Sequence, residues 1–302
     1  MHHTLCAICD TDRWDRLLYA ERLGDGAFTS ERFSARRLPD RVHYRMVRCG
    51  NCGLIRSDPV LEETELAGLY AASHLTYAHE AEFAGDTYAH YLREALPLAP
   101  ARDRLLEIGC GNGFFLERAL DLGFTEVSGV EPSRAAVEGA SPRVRDAIRI
   151  DGFHDGLFPE SHFSMVCGLQ VFDHLANPNE ILQACRRILR PGGIILLIHH
   201  DAGAWTHRLL GERSPIIDVE HIYLYDRRTI ARILAKNGFE ILRVFSVQNR
   251  YPIYYWTGMA PIPNGLKHRL VPKLRNSALG RRAVAWNAGN LGIVGCFNPE
   301  KP

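Results

Sequence analysis

The stretch LLEIGCGNGFF, residues 105–115, begins as a strand that runs into Glu107, passes through Gly109, Gly111 and Gly113, and enters a helix. Glycines so spaced let the backbone turn tightly and approach a ligand closely. A lone loop of this kind is weak evidence, because dinucleotide-binding loops are similar. Two details set this one apart. Its order is E-x-G-x-G-x-G rather than G-x-G-x-x-G, and its acidic residue at the strand end would repel a pyrophosphate.

Beyond the loop the chain alternates strands and helices, the pattern of a parallel sheet covered on both faces. Strands are expected at 104–108, 126–130, 147–151, 163–168, 193–200, 239–247 and 291–297. Helices are expected at 113–122, 133–139, 178–190 and 226–236, with a looser, partly helical segment over 253–288. Residues 61–96 also read as helical and stop at Pro97 to Pro100, since proline cannot continue a helix. The second strand ends in GVEPS, which puts Glu131 18 residues beyond Gly113, in place to accept hydrogen bonds from two ribose hydroxyls. The third ends in RIDGF, where Asp151 or the neighbouring backbone can meet an adenine amino group and Phe153 can pack on the ring. Asp151 equally suits a turn cap.

Further along stand GLQVFDHLANPNEIL (168–182) and RRILRPGGIILL (186–197). With the loop, these motifs resemble, over about residues 65–297, the class I S-adenosylmethionine (SAM)-dependent methyltransferases, whose matching segments have the forms vleHv-dP and r-LkPGG-l-l. The resemblance implies a Rossmann-like α/β fold with a seven-stranded sheet. It also implies a cofactor site at Glu107, Gly109, Cys110, Gly111 and Gly113, at Glu131 and Pro132, at Asp151, Gly152 and Phe153, and at Leu169 and Gln170. Glu107 would there neutralise a ligand carrying an ammonium and a sulfonium. Tyr70 and Tyr77 lie where related enzymes fold helices over SAM, and either can reach its carboxylate. One departure is Phe163-Ser164-Met165-Val166, where the family has Phe-Asp-x-Val; a local hydrogen bond is at stake there.

Ligands of open α/β sheets lie beyond the carboxyl ends of the strands. Gln170, Asp173, His174, His199, His200 and Asp201 are therefore placed to face a methyl acceptor. Methyl transfer is an in-line displacement that needs alignment and exclusion of water. A hydroxyl or acidic carbon must also lose a proton, for which histidine is suited near neutral pH. His199 and His200 stand where the resembling subset reads TPN, and strand alternation points only one of them inward. His174 is the weaker candidate base. DVEHIYLYD resembles the family's HlyyFs element and adds His221 and Tyr223 as candidate acceptor-site residues, with loop packing as the alternative.

Four of the eight cysteines form two C-x-x-C pairs, Cys6/Cys9 and Cys49/Cys52. Four thiolates make a closed tetrahedral zinc site, structural rather than catalytic. The alternative is a redox C-x-x-C, against which the presence of two pairs and the lack of a thioredoxin-like context argue. The long gap predicts an inserted loop or hairpin across 11–45. The arrangement resembles bacterial class I methyltransferases that begin with such a pair and often act on sugars or secondary metabolites. The expected organisation is a zinc-ribbon module (1–60), a helical lid or linker (61–100) and a SAM-binding domain (101–302).

A net charge of +1 argues against a nucleic-acid binder as a whole. No apolar run can span a bilayer, and MHHTLC lacks the basic and apolar regions of a signal peptide, so a cytoplasmic protein is expected. No acidic residue falls between Ile241 and Pro299, while Lys267, Arg269, Lys273, Arg275, Arg281 and Arg282 cluster. That excess suits an anionic part of a small-molecule acceptor, a membrane surface or a solvated helix face. The expected function is methylation of a small-molecule acceptor on oxygen or carbon. An RNA methyltransferase and a catalytically silent SAM-binding partner protein are the alternatives. Oligomeric state is not legible.

Overall fold

A computed structural model describes every residue except 25, 35–40, 74–80, 261 and 300–302. The chain opens with β1 (Asp15–Tyr19), β2 (Met46–Cys49) and β3 (Ile55–Ser57), followed by helices α1 (Glu63–Ala71) and α2 (Ala81–Ala95). The alternating part runs β4 (Arg104–Ile108), α3 (Phe114–Asp121), β5 (Glu126–Val130), α4 (Arg134–Glu138), β6 (Ile148–Arg149), β7 (Phe163–Leu169), α5 (Pro178–Ile188) and β8 (Leu189–His200). Then come α6 (Trp205–Leu210), β9 (Tyr223–Leu224), α7 (Arg227–Lys236), β10 (Phe239–Pro252), α8 (Ile253–Met259), α9 (Asn264–Arg275) and β11 (Ala283–Phe297).

Seven strands form one sheet in the order β10-β11-β8-β7-β4-β5-β6, with β6, β5, β4, β7 and β8 parallel and the β10–β11 hairpin antiparallel. This is the expected Rossmann-like α/β architecture. Every residue of β7 is buried, as a strand covered on both faces requires. Helix α5 starts on Pro178 and buries Ile181, Leu182, Cys185 and Ile188 along one stripe. Asp226 caps α7 by accepting from the backbone of Arg228 and Thr229. Where the family has aspartate, Ser164 donates through its hydroxyl to the Arg104 carbonyl at 2.9 Å.

Several expectations differ from the observed elements, among them the strand expected from residue 193, which begins at Leu189. The strand expected at 147–151 is only Ile148–Arg149, at the sheet edge, with Ile150 already exposed. The last two strands are longer than expected, because the hairpin continues past the main sheet. There one face of β10 rests on α2, with Val247, Asn249 and Tyr251 buried in alternation with exposed Gln248 and Arg250, whereas β11 is exposed on both faces over 284–287. The loosely helical 253–288 resolves into α8, α9 and the start of β11.

A second sheet has the order β1-β2-β3-β9. Its last strand comes from far along the chain: Ile55 pairs with Leu224 and Arg56 with Tyr223. The hairpin expected across 11–45 is β1, turned back onto β2. One apolar core runs from Cys6, Cys49 and Cys52 through Tyr223 and Tyr225 to Leu291 and Ile293.

Candidate active site

The glycine loop leaves β4 along a path that only glycine follows cheaply. Gly109, Gly111 and Gly113 all have positive φ, and a Cβ on Gly109 would lie 2.8 Å from the Val171 side chain. Gly109 and Cys110 donate through their amides to the Val130 carbonyl, which ties the loop to β5. At the end of β5 the Glu131 carboxylate accepts from the Gly111 and Ser133 amides, each at 2.9 Å. Pro132, the residue between Glu131 and Ser133, is half-buried. Cys110 is buried beneath Gly129, where any Cβ would meet its sulfur.

Glu107 is buried beside this cradle, and its Oε2 has no hydrogen-bond partner among the described residues. Burial, and after it the charge of Glu131, pushes its carboxyl well above the usual range. Glu131 is also raised by burial, partly offset by the two amides it accepts from. Two desolvated carboxylates side by side favour a ligand that brings positive charge. Gln170 stands beyond the buried Leu169 at the end of β7 with φ of 59°, and its Oε1 is unpartnered among the described residues, as is Asn112 Oδ1. These orphaned acceptors fit a cationic, hydroxyl-bearing cofactor. Asp151 accepts from the Gly152 amide at 2.8 Å in an exposed turn, and Phe153 packs half-buried against the core. Tyr77 lies outside the described residues.

The second group gathers around Asp173, fully buried in the short 3-10 turn Phe172–His174 after β7. Its Oδ2 meets His200 Nδ1 at 2.7 Å and lies 3.8 Å from His221 Nε2, while its Oδ1 lies 3.8 Å from His174 Nε2. The rings of His200 and His174 stand 4.8 and 4.9 Å from that of His221, both edge-on. Tyr70, from α1, reaches His174 Nδ1 at 3.1 Å with its hydroxyl. Burial alone would raise the Asp173 carboxyl. The hydrogen bond from His200 and the three imidazoles more than offset that and hold it well below the carboxylate range. Burial, followed by the charge of His200, holds His221 well below the usual imidazole value.

Alternation along β8 separates the two neighbouring histidines. His200 turns to Asp173, whereas His199 is fully buried with its ring 5.5 Å from Tyr225. His199 Nδ1 meets the His200 carbonyl at 2.7 Å, and burial lowers its basicity. Asp173, His200 and His221 offer ligand atoms within 4.8 Å of one another, enough for a cation. The direct 2.7 Å contact between His200 and Asp173 would have to open to admit one. The geometry therefore suits proton handling: with Nδ1–H donated to Asp173, His200 keeps its Nε2 lone pair for a substrate proton.

The four N-terminal cysteines come together as spaced. Their sulfurs all lie within 4.8 Å of one another, with Cys6–Cys52 at 3.4 Å and Cys9–Cys49 at 3.9 Å. Tetrahedral zinc–sulfur bonds of about 2.3 Å require separations of about 3.8 Å, so the donor set fits zinc. Each pair forms the same turn: Asp10 donates to the Cys6 carbonyl and Gly53 to that of Cys49, both at positive φ. This knuckle is wired to the histidine segment. Ser57 donates through its amide to Ile222 and through its hydroxyl to the His221 carbonyl, each at 2.8 Å. Tyr223 donates to the Leu5 carbonyl at 2.9 Å, with its ring stacked 6.3 Å from that of Tyr225. Ser57 carries no sequence signal for this role, because its partner is 164 residues away.

The family described as methyltransferase domain matches residues 77–244. The chain is 35% identical over 116 residues to a ubiquinone biosynthesis O-methyltransferase of Maricaulis maris, covering 36% of this chain and 45% of that protein. It is 34% identical over 110 residues to the 27-O-demethylrifamycin SV methyltransferase of Amycolatopsis mediterranei, covering 34% and 40% respectively. The chain thus spans about half the length of the curated relatives it matches. Among solved structures it is similar to geranyl diphosphate C-methyltransferase of Streptomyces coelicolor, with a TM-score of 0.47 and 16% identity over 70% of this chain and 78% of that one.

Proposed function

The chain belongs to the methyltransferase-domain family, and from that we propose that it methylates a hydroxyl or an acidic carbon of a small-molecule acceptor, with SAM as the donor. When bound, SAM would supply an electrophilic methyl on a sulfonium, with S-adenosylhomocysteine as the leaving group of the in-line displacement. The glycine loop would give the cofactor close backbone approach, Glu131 would accept from its ribose hydroxyls, and Glu107 would offset its positive charge. His200 takes the acceptor proton at Nε2, and Asp173 holds it in that tautomer and stabilises the imidazolium that forms. His221 and His174 position the acceptor beside it, with Tyr70 orienting His174. Cys6, Cys9, Cys49 and Cys52 hold a structural zinc.

The observation that carries this reading is the Asp173–His200 pair at the sheet edge that also bears the acidic glycine cradle. Names of the relatives support an oxygen acceptor, since ubiquinone and rifamycin enzymes are among them. The test incubates the protein with labelled SAM and phenolic, catecholic and sugar acceptors, and follows S-adenosylhomocysteine release. Turnover that falls at least about 100-fold in His200→Gln, the range of general-base catalysis, with cofactor binding retained, is the expected result. Tight cofactor binding without turnover on any acceptor would point instead to a silent SAM-binding protein.

A further inference from the structure

The β10–β11 hairpin continues beyond the main sheet. Asn290 pairs with His200, the last residue of β8, yet β11 begins at Ala283, where it pairs with Pro252. The hairpin arm therefore projects from the sheet edge that carries His200, with α8 and α9 strung between its two strands. Backbone bonds from Ile253 to Arg282 and from Tyr254 to Gly280 close the tip, and Trp256 Nε1 donates to the Val284 carbonyl at 3.0 Å.

This tip is cationic. No acidic residue occurs between Ile241 and Pro299. Lys267, Arg269, Lys273 and Arg275 lie on α9, and Arg281 and Arg282 follow it; Lys267 is half-buried and the others are exposed. Large apolar side chains stand among these charges. Leu266 and Leu270, one helical turn apart, are 45% and 37% exposed, Leu279 is 64% exposed and Trp286 54% exposed. Large apolar side chains left this exposed along one basic segment mark an interaction surface. A nucleic acid would satisfy the cations but leave the leucines in water. A bilayer with anionic headgroups satisfies both, and tryptophan prefers its interface.

We propose that this arm docks the protein on a bilayer containing anionic phospholipid. Headgroup phosphates face the lysines and arginines, and Leu279 and Trp286 enter the boundary between headgroups and acyl chains. Because the arm shares its sheet edge with His200, docking brings the acceptor site to the membrane surface, where an amphiphilic acceptor would be met. That consequence rests on the acceptor site proposed above, whereas the docking does not.

The test sediments the full chain with phosphatidylglycerol–phosphatidylcholine vesicles and with pure phosphatidylcholine vesicles, and measures S-adenosylhomocysteine binding in parallel. Expected are binding to the anionic vesicles alone, a blue shift of tryptophan emission, and loss of binding with added salt. Arg281→Glu with Arg282→Glu should weaken partitioning by at least roughly tenfold, given roughly fivefold per basic charge. Leu279→Ser with Trp286→Ser should weaken it while S-adenosylhomocysteine binding is unchanged. If the arginine variant loses that binding, Lys273→Glu carries the same charge test. No binding to anionic vesicles by protein that binds S-adenosylhomocysteine would overturn the proposal. So would RNA binding that is indifferent to Leu279→Ser and Trp286→Ser, or a dimer through these residues that ignores vesicles. Acceptor turnover plays no part in any of these arms.

Discussion

The glycine cradle and the histidine cluster share one edge of a sheet but are assembled in opposite ways. The cradle is built within residues 105–133: β4, its loop, α3 and β5 supply both the donors and the carboxylate that binds them. The cluster takes Asp173 from the turn after β7, His200 from the end of β8, and His221 from a segment pinned by Ser57 of the N-terminal sheet. A site made by one supersecondary unit tolerates disturbance elsewhere. A site made by three distant segments depends on whatever holds each of them.

Metal removal is the strongest way to break that contrast. A structural zinc site is worth on the order of 10 kcal/mol or more. Stripping it, or making Cys49→Ser with Cys52→Ser, should release β9 and with it His221. Methyl transfer is expected to be abolished, while S-adenosylhomocysteine affinity by calorimetry falls far less, because the cradle's own hydrogen bonds close within residues 109–133. Parallel loss of cofactor affinity would show that the cradle is no more self-contained than the cluster.

Asp173→Ala comes next. Removing one partner of a buried charged pair costs about 3–5 kcal/mol. Thermal unfolding should report that loss, and turnover should fall with it. Asp173→Asn keeps the shape, so a shift in the pH–rate profile at near-native stability would isolate the orienting role.

On the cradle side, Glu131→Ala removes the proposed acceptor of two ribose hydroxyls, each hydrogen bond to a carboxylate being worth about 1.5 kcal/mol or more. Cofactor affinity should drop about 100-fold, and the apoprotein's melting temperature should also fall, because the Gly111 and Ser133 amides lose their acceptor. A large stability loss with unchanged affinity would move Glu131 from ligand binding to loop structure.

The smallest effect concerns pH. His207, on α6, meets Ser214 Oγ at 2.5 Å, and burial holds its imidazole down to about 4. The unfolded chain protonates near 6.5, so between those values the unfolded state binds more protons and stability falls as pH drops. The loss attributable to His207 is about 2 kcal/mol between pH 7 and pH 5. Urea denaturation at both pH values should show a correspondingly flatter response in His207→Asn. Asp173, whose folded carboxyl is depressed, contributes above the unfolded value near 3.8 and loses that contribution only below it, outside this window.

Local chemistry was legible wherever it is read over a few residues. The loop at 105–115, the second-strand Glu131 and the two cysteine pairs announce themselves, because turn geometry and metal-ligand spacing are properties of short segments. His199 and His200 were equivalent as letters. The direction of β8 alone decided that one packs on Tyr225 and the other meets Asp173. The length of the hairpin arm was illegible because the buried face of β10 there rests on α2, whose bonded residues lie 157 and 163 positions earlier in sequence, and β11 over 284–287 is exposed on both faces.

By itself, then, the sequence determined the alternating sheet, the glycine cradle with its two carboxylates, and a four-thiolate donor set, since each follows from backbone or ligand geometry within a short window. Tertiary structure decided that the cysteine segment borrows Tyr223–Leu224 as its fourth strand. It also decided that Asp173 becomes the shared partner of three histidines. The physical reason is range: hydrogen bonds and charges act over a few ångströms in space, and only the folded chain brings residues 57, 173, 200 and 221 within that distance.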